Sequence, residues 1–289
     1  MKSVSVIIPT YRDWVRLSKC LDALRQQTYP SELIQIIVIN NDPLDMNPLL
    51  NDDKYNDVLF LVESKPGSYA ARNKGLKYAN GEVIAFTDSD CIPDGNWIYN
   101  AIYYFDTNSN CLRIGGRIEL FFKNGVSKTL AEFYEQSYAF RQSEFVRRQG
   151  MAATANMFAY KKVFDEISVF DESLMSGGDA EWGRRAYRRG YKIIYRDNVI
   201  VNHPARSSMK QIFLKNRREA GGKVRSRKQV LINFFMSLFP PVKSFCYIRF
   251  RGNQVHKVLI AFVIRYIMRI DTAIEQLKIM FLKKRVERL

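Results

Sequence analysis

Asp88 and Asp90 close an apolar segment, Glu82 to Phe86, that reads as a short buried strand. Residues two apart on extended backbone point the same way, so the two carboxylates converge at the strand's carboxyl end. Like charges held together are costly unless a cation sits between them. All-oxygen ligation suits Mg²⁺ or Mn²⁺, ions that keep positions open for phosphate oxygens. An isolated Asp-x-Asp is otherwise a polar loop after a strand, so its meaning depends on the rest of the chain.

Three further segments could contribute chemistry. Gly67-Ser68-Tyr69-Ala70-Ala71-Arg72-Asn73-Lys74-Gly75 combines a glycine, a helix start and an arginine, which suits a phosphate or a nucleotide. Its plainer reading is a turn followed by solvated helix charges. Gly177-Gly178-Asp179-Ala180-Glu181-Trp182 places an acid at a helix start, where it serves as an N-cap or as a base. Val199 to Pro204 ends a strand with His203, one of only two histidines in the chain, a structural residue or a ligand.

The elements that must position these residues alternate over the first 90 positions. Ser3–Pro9, Ile34–Ile39, Val58–Val62 and Val83–Phe86 read as strands, with helices over Trp14–Gln27 and Ala70–Ala79. This pattern predicts an α/β fold, a mostly parallel sheet flanked by helices, with ligands at the strands' carboxyl ends. Further on, the patterns predict a helix over 97–105, a strand over 112–122 and one long helix over 130–147. Extended chain over 151–160, a helix over 180–189 and a strand over 192–195 complete this part.

Residues 1–204 balance 25 basic against 25 acidic side chains, whereas 205–289 hold 20 and 4, so the whole net charge of +16 lies in the tail. The tail reads as basic amphipathic helices broken at Pro240-Pro241, a C-terminal extension facing an anionic partner. Its longest uncharged run between 258 and 281 is Val258–Ile264, too short to span a bilayer. An anionic membrane surface is the expected partner, with helix packing against protein as the alternative. No nucleic-acid module is visible, and no nucleic-acid partner is expected. Four scattered cysteines without a C-x-x-C, and a start that runs from Met1-Lys2 into a strand, predict a reduced, cytoplasmic chain.

Together these segments resemble the family 2 glycosyltransferases, which have the GT-A (Rossmann-like) fold. The matching pieces are Pro9-Thr10-Tyr11, Ala71-Arg72-Asn73-x-Gly75, Asp88-Ser89-Asp90, Gly178-Asp179-x-Glu181 with Arg185 and Gly190, and His203. They span residues 3 to about 204, so 1–204 is the expected catalytic domain and 205–289 the extension.

The resemblance implies an inverting transferase that moves one sugar from a nucleotide-sugar, a UDP-sugar in the first instance, to a glycan or lipid-linked acceptor; the basic tail would place it at the inner face of the membrane. Pro9, Thr10, Tyr11, Asn40, Arg72 and Asp88 would bind the donor. Asp90, with Asp88 and His203, would hold Mg²⁺ or Mn²⁺. Asp179 would be the general base, and Asn156, Glu181 and Trp182 would border sugar and acceptor. Processive relatives carry Gln-x-x-Arg-Trp; here the nearest segment is Trp182-Gly183-Arg184-Arg185, which points to single addition. A nucleotidyltransferase would favour a glycine-rich loop after the first strand, where this chain has Pro9-Thr10-Tyr11-Arg12. A non-catalytic membrane-surface scaffold is the other alternative.

Overall fold

Apolar runs bounded by turn residues become the strands of a single sheet. The computed structural model describes residues 1–123, 125, 129–222, 224, 226–247 and 255–282. Among these, β1 (Val4–Thr10), β2 (Ile34–Asn40), β3 (Val58–Val62) and β4 (Val83–Phe86) are the four expected early strands. β5 (Ile92–Pro93), β6 (Arg113–Phe121), β7 (Met157–Tyr160) and β8 (Ile193–Pro204) follow, and the order across the sheet is β3-β2-β1-β4-β7-β6-β8-β5. β1 pairs in parallel with β2 and β4, and β2 with β3. Beyond β4 the β4–β7, β6–β7 and β5–β8 pairs are antiparallel. The expected parallel half is therefore joined to an antiparallel half.

Alternation along each strand decides which helices it meets. Val4, Val6 and Ile8 join one core with helices α1 (Trp14–Arg25) and α3 (Trp97–Thr107). Ile7 joins Ile37, Ile39, Ile84 and Phe86 in the other. That second core takes in α2 (Ser68–Tyr78), α6 (Lys161–Ile167) and α7 (Gly178–Arg188). Two layers of helix thus cover both faces, which a sheet rich in Val and Ile requires.

The long helix expected over 130–147 is two helices, α4 (Leu130–Tyr138) and α5 (Gln142–Gln149). The break falls at Phe140, whose φ of 47° leaves the helical region. α4 starts in a capping box, Thr129 with Glu132, and Gln142 of α5 turns inward to bond Ala153 and Asn156. Residues 151–160 are extended only over β7, because Thr154–Asn156 forms a 3₁₀ turn.

The chain divides into two compact units. The first comprises Met1–Glu119, Phe140–Leu174 and Gly178–His203, and holds the sheet's core. The second comprises Leu120–Ala139, Met175–Gly177 and Pro204–Leu289. In it, α4, α8 (Met209–Gly221) and α10 (Val255–Phe281) share a small core of Ala131, Tyr134, Ile212, Ile264 and Met268. α9 (Arg227–Ser237) packs on α10. Here the buried Glu135 accepts from the Arg206 amide and guanidinium, each at 2.8 Å, and from Lys215 at 3.4 Å.

Candidate active site

The first unit brings Arg72, Asp88, Asp90, His203 and Asp179 to the carboxyl end of its parallel strands. Gly67, at φ 121°, lets the chain turn sharply from β3 into α2. Its amide donates to Asn41 Oδ1 at 2.7 Å, which fixes the start of the helix beside the end of β2. Arg72 is thereby buried, and its guanidinium donates to Asp88 at 2.5 Å. A charged pair of this kind orients the carboxylate and offsets its repulsion from Asp90.

Asp90 is partnered differently. Arg16 reaches it at 3.4 Å while also holding Asp13 at 2.8 Å, and Ser89 donates to Asp13 at 3.2 Å. His203 Nε2 lies 3.5 Å from Asp90 Oδ1. The contact is made by a two-residue strand: β5 pairs Ile92 with Asn202 of β8, which sets Asp90-Cys91 beside His203. The Phe140 ring backs the imidazole, 4.5 Å between centroids.

Donor atoms of Asp90, Cys91 and His203 lie within 4.8 Å of one another. Burial, then the Asp90 and Asp88 charges, push the Cys91 thiol well above its ordinary pKa. Its soft sulfur is in any case a poor match for a hard, oxygen-seeking cation. Carboxylate and imidazole remain, a donor set that suits Mn²⁺ or Mg²⁺ with open positions for phosphate oxygens. Asp88 lies outside this group and faces Arg72 instead. Three buried polar atoms at this end of the unit, Thr10 Oγ1, Thr87 Oγ1 and Arg72 Nε, have no hydrogen-bond partner among the described residues and can serve a polar ligand.

Asp179 stands at the start of α7, half-buried. The Tyr69 hydroxyl donates to its Oδ1 at 3.2 Å, and the Ala180 amide donates to the same oxygen at 2.8 Å. Desolvation raises its pKa above the ordinary carboxylate value, against the lowering pull of the Ala180 amide, Arg72 and Tyr69. Gly178 makes the arrangement possible. A Cβ there would meet the Tyr69 ring at 2.7 Å. Tyr69 also lies against Arg72, 5.7 Å from ring centroid to guanidinium carbon. One turn of α2 therefore touches both Asp179 and Asp88.

Other expected site residues are placed elsewhere or otherwise occupied. Trp182 is fully buried, stacked on Phe164 at 4.3 Å, and its indole donates to Ser168 O, so it packs in the core in this structure. Asn156 is likewise core. Its amide donates to Arg117 O and Val199 O, and its oxygen accepts from Trp97. Asn40 uses both amide hydrogens on the carbonyls of Asp42 and Asp45 and accepts from the Asp42 amide. It shapes the loop after β2, where Asp42 pairs with Arg12 at 2.7 Å. Glu181 pairs with Arg185 at 2.9 Å on the same helix. Pro9 and Thr10 are buried at the end of β1, with the half-buried Tyr11 next. Sequence reasoning missed Tyr69, Arg16 and Asp13; each reads as an ordinary helix-start residue until its partner is in place.

The pattern described as Glycosyl transferase family 2 matches residues 5–167. Glycosyltransferase AglE of Haloferax volcanii is 34% identical over 207 residues, 70% of this chain and 67% of that one. A Methanococcus voltae relative is 22% identical over 225 residues, 74% of this chain and 70% of its own length. It is named dolichyl N-acetyl-alpha-D-glucosaminyl phosphate 3-beta-D-2,3-diacetamido-2,3-dideoxy-beta-D-glucuronosyltransferase. Among solved structures, the Pyrobaculum calidifontis mannosyltransferase PcManGT, in complex with GDP-Man and Mn²⁺, superposes with a TM-score of 0.59. It is 16% identical, and the match covers 98% of this chain and 76% of that one. That likeness carries the fold, GT-A. With the family pattern over more than half of the chain and AglE alike over most of it, this protein belongs to glycosyl transferase family 2 and is a glycosyltransferase.

Proposed function

We propose that the chain is an inverting, single-addition glycosyltransferase that carries a sugar from a nucleoside diphosphate to an acceptor hydroxyl. One observation carries this reading: α2 presents Tyr69 to Asp179 and Arg72 to Asp88 within a single turn. A proton acceptor and an anion-facing group are thereby held together.

Asp179 takes the proton of the acceptor hydroxyl as that oxygen attacks the anomeric carbon. The bond from that carbon to the diphosphate breaks on the opposite face, and configuration inverts. Arg72 and Asp88 orient the nucleotide, with Thr10 and Tyr11 on the base side and Asn40 acting through its loop. Asp90 and His203 are the residues that would hold a divalent ion, Mg²⁺ or Mn²⁺. The ion supplies charge stabilisation to the departing diphosphate. Glu181 borders the acceptor side through its pair with Arg185.

The donor class is supported by GDP-Man in PcManGT; for the base, the expected UDP-sugar is tested against GDP-sugars. A lipid-linked or glycan hydroxyl as acceptor is supported by the name of the Methanococcus voltae relative. In this reading residues 1–204 carry the chemistry on the cytoplasmic side, and 205–289 hold the chain at the inner face of the membrane.

A thermal-shift panel of nucleoside diphosphates and sugar nucleotides, with and without divalent ions, tests it. Stabilisation by one base, dependent on Mn²⁺ or Mg²⁺ and lost on chelation, is expected. A flat response across the panel would refute the donor reading.

A further inference from the structure

Charge and apolar surface are sorted unusually in the last helices. Three of the four acids after residue 204 are described, and none of them is exposed. Asp271 of α10 accepts from Asn216 and Arg217 of α8 at 3.0 Å, and Glu275 is 2% exposed. Glu219 is half-buried in the field of Tyr134, Lys215 and Arg265. Polar bonds also fasten α9 inward to α10, from Tyr266 to Leu238 O at 2.6 Å and from Asn233 to Gln276 at 3.1 Å.

The outer side is apolar. Ile260, Val263, Ile267 and Ile274 recur on one face of α10 and are 38%, 53%, 47% and 39% exposed. Phe235 on α9 is 61% exposed, and Phe239, just before Pro240-Pro241, is 70% exposed. Arg227, Lys228, Lys243 and Lys278 are exposed on the same helices and the turn between them. Apolar surface of this extent needs a partner. Cations beside aliphatic and aromatic side chains, with the acids turned inward, match the acyl boundary and phosphate layer of an anionic bilayer. A nucleic acid would match the cations and leave the isoleucines and phenylalanines in water. No described helix is long and apolar enough to cross a membrane.

We propose that the exposed face of α9 and α10 docks on an anionic lipid bilayer, lying along it with Phe235 and Phe239 inserted at the acyl boundary. The proposal deepens the membrane-side part of the transferase reading, but the binding itself requires no donor, metal or acceptor.

Co-sedimentation of the full chain with phosphatidylcholine vesicles, with and without phosphatidylglycerol, tests it. Binding to the anionic vesicles at low salt, weakened at high salt, is expected. The double variant F235E/F239E should lower partitioning about tenfold or more. Both positions are solvent-facing, so its melting temperature should stay at the wild-type value. Lys228→Glu should weaken only the salt-sensitive part. Retained nucleotide stabilisation in F235E/F239E separates loss of docking from loss of the transferase site. Wild-type chain left in the supernatant at low salt would overturn the proposal. So would unchanged binding by F235E/F239E, or a dimer that buries these residues and ignores vesicles.

Discussion

The Tyr69 hydroxyl donates to Asp179 Oδ1 at 3.2 Å, across 110 residues of sequence. A hydrogen bond to a carboxylate favours its ionised form and opposes the desolvation that raises the Asp179 pKa. Tyr69→Phe deletes that bond and keeps the ring. The pKa then rises further, and the acid limb of the pH–rate profile moves to higher pH. Turnover on the alkaline plateau changes little. An unmoved limb would remove Tyr69 from the account.

Asp179→Asn should lower kcat by about 10²–10⁴-fold, the scale of a lost general base, and keep nucleotide stabilisation. Its effect on stability has a definite sign. Because the folded carboxyl is harder to ionise than the unfolded one, deprotonation costs stability as pH rises through the ordinary Asp range and the raised value above it. Asparagine lacks that cost. Melting curves should favour the variant near neutral pH, and the advantage should vanish in acid below both values.

Gly178→Ala would place a methyl 2.7 Å from Tyr69 Cε2, so the ring must move and Asp179 loses its donor. The expected signature matches that of Tyr69→Phe: kcat falls on the acid limb, which moves to higher pH, with donor KM nearly unchanged. A double-mutant cycle with Tyr69→Leu should show coupling of about 0.5–3 kcal/mol, because the smaller side chain removes the clash. Strict additivity would place the glycine's effect elsewhere.

Metal dependence separates the two aspartates. Asp90→Ala should abolish the part of the nucleotide thermal shift that needs a divalent ion, and His203→Ala should reduce it. Arg72→Met should weaken nucleotide binding with and without the ion, since Arg72 faces Asp88 and lies outside the Asp90 group.

In the second unit, Glu135 is fastened by Arg206 through two bonds and more loosely by Lys215. Burial alone would raise the Glu135 pKa, but Lys215 and Arg206 more than offset it and lower it. Burial and the Arg206 charge in turn lower the pKa of Lys215. Arg206→Met should therefore destabilise by less than about 3–5 kcal/mol, the cost of a buried carboxylate left wholly unpaired, because the amide at 206 and Lys215 still reach Glu135. Lys215→Met should cost less, because Lys215 makes one long bond and its own burial opposes its charge. The Glu135 contribution is present above the ordinary glutamate range and fades as pH falls through the lowered value. Denaturant titrations of both variants at neutral and acid pH would check the order.

How legible these features were depended on how local they are. β1 to β4 announce themselves as apolar runs that break into polar turn residues, so Asp88 and Asp90 are placed at a strand end from sequence with little ambiguity. β5 could not be found that way. Two residues, Ile92 and Pro93, carry no period, yet their pairing with Val201 and Asn202 is what brings His203 to Asp90. The 130–147 helix failed because its apolar period runs on through Phe140 while the backbone turns there. Trp182 and Asn156 sit among motif residues, and only burial shows that one fills the core and the other ties strands together. Tyr69 shows the reverse: a tyrosine in the first turn of a helix looks like packing until Asp179 is seen beneath its hydroxyl.

The turn of α2 from Tyr69 to Arg72 works as a calliper. Three residues of helix advance about 4.5 Å, so one rigid turn offers Tyr69 to Asp179 and Arg72 to Asp88 at once, one jaw on each carboxylate. Inserting one residue between Tyr69 and Arg72 would rotate one of these side chains off its carboxylate, and should disable every donor alike.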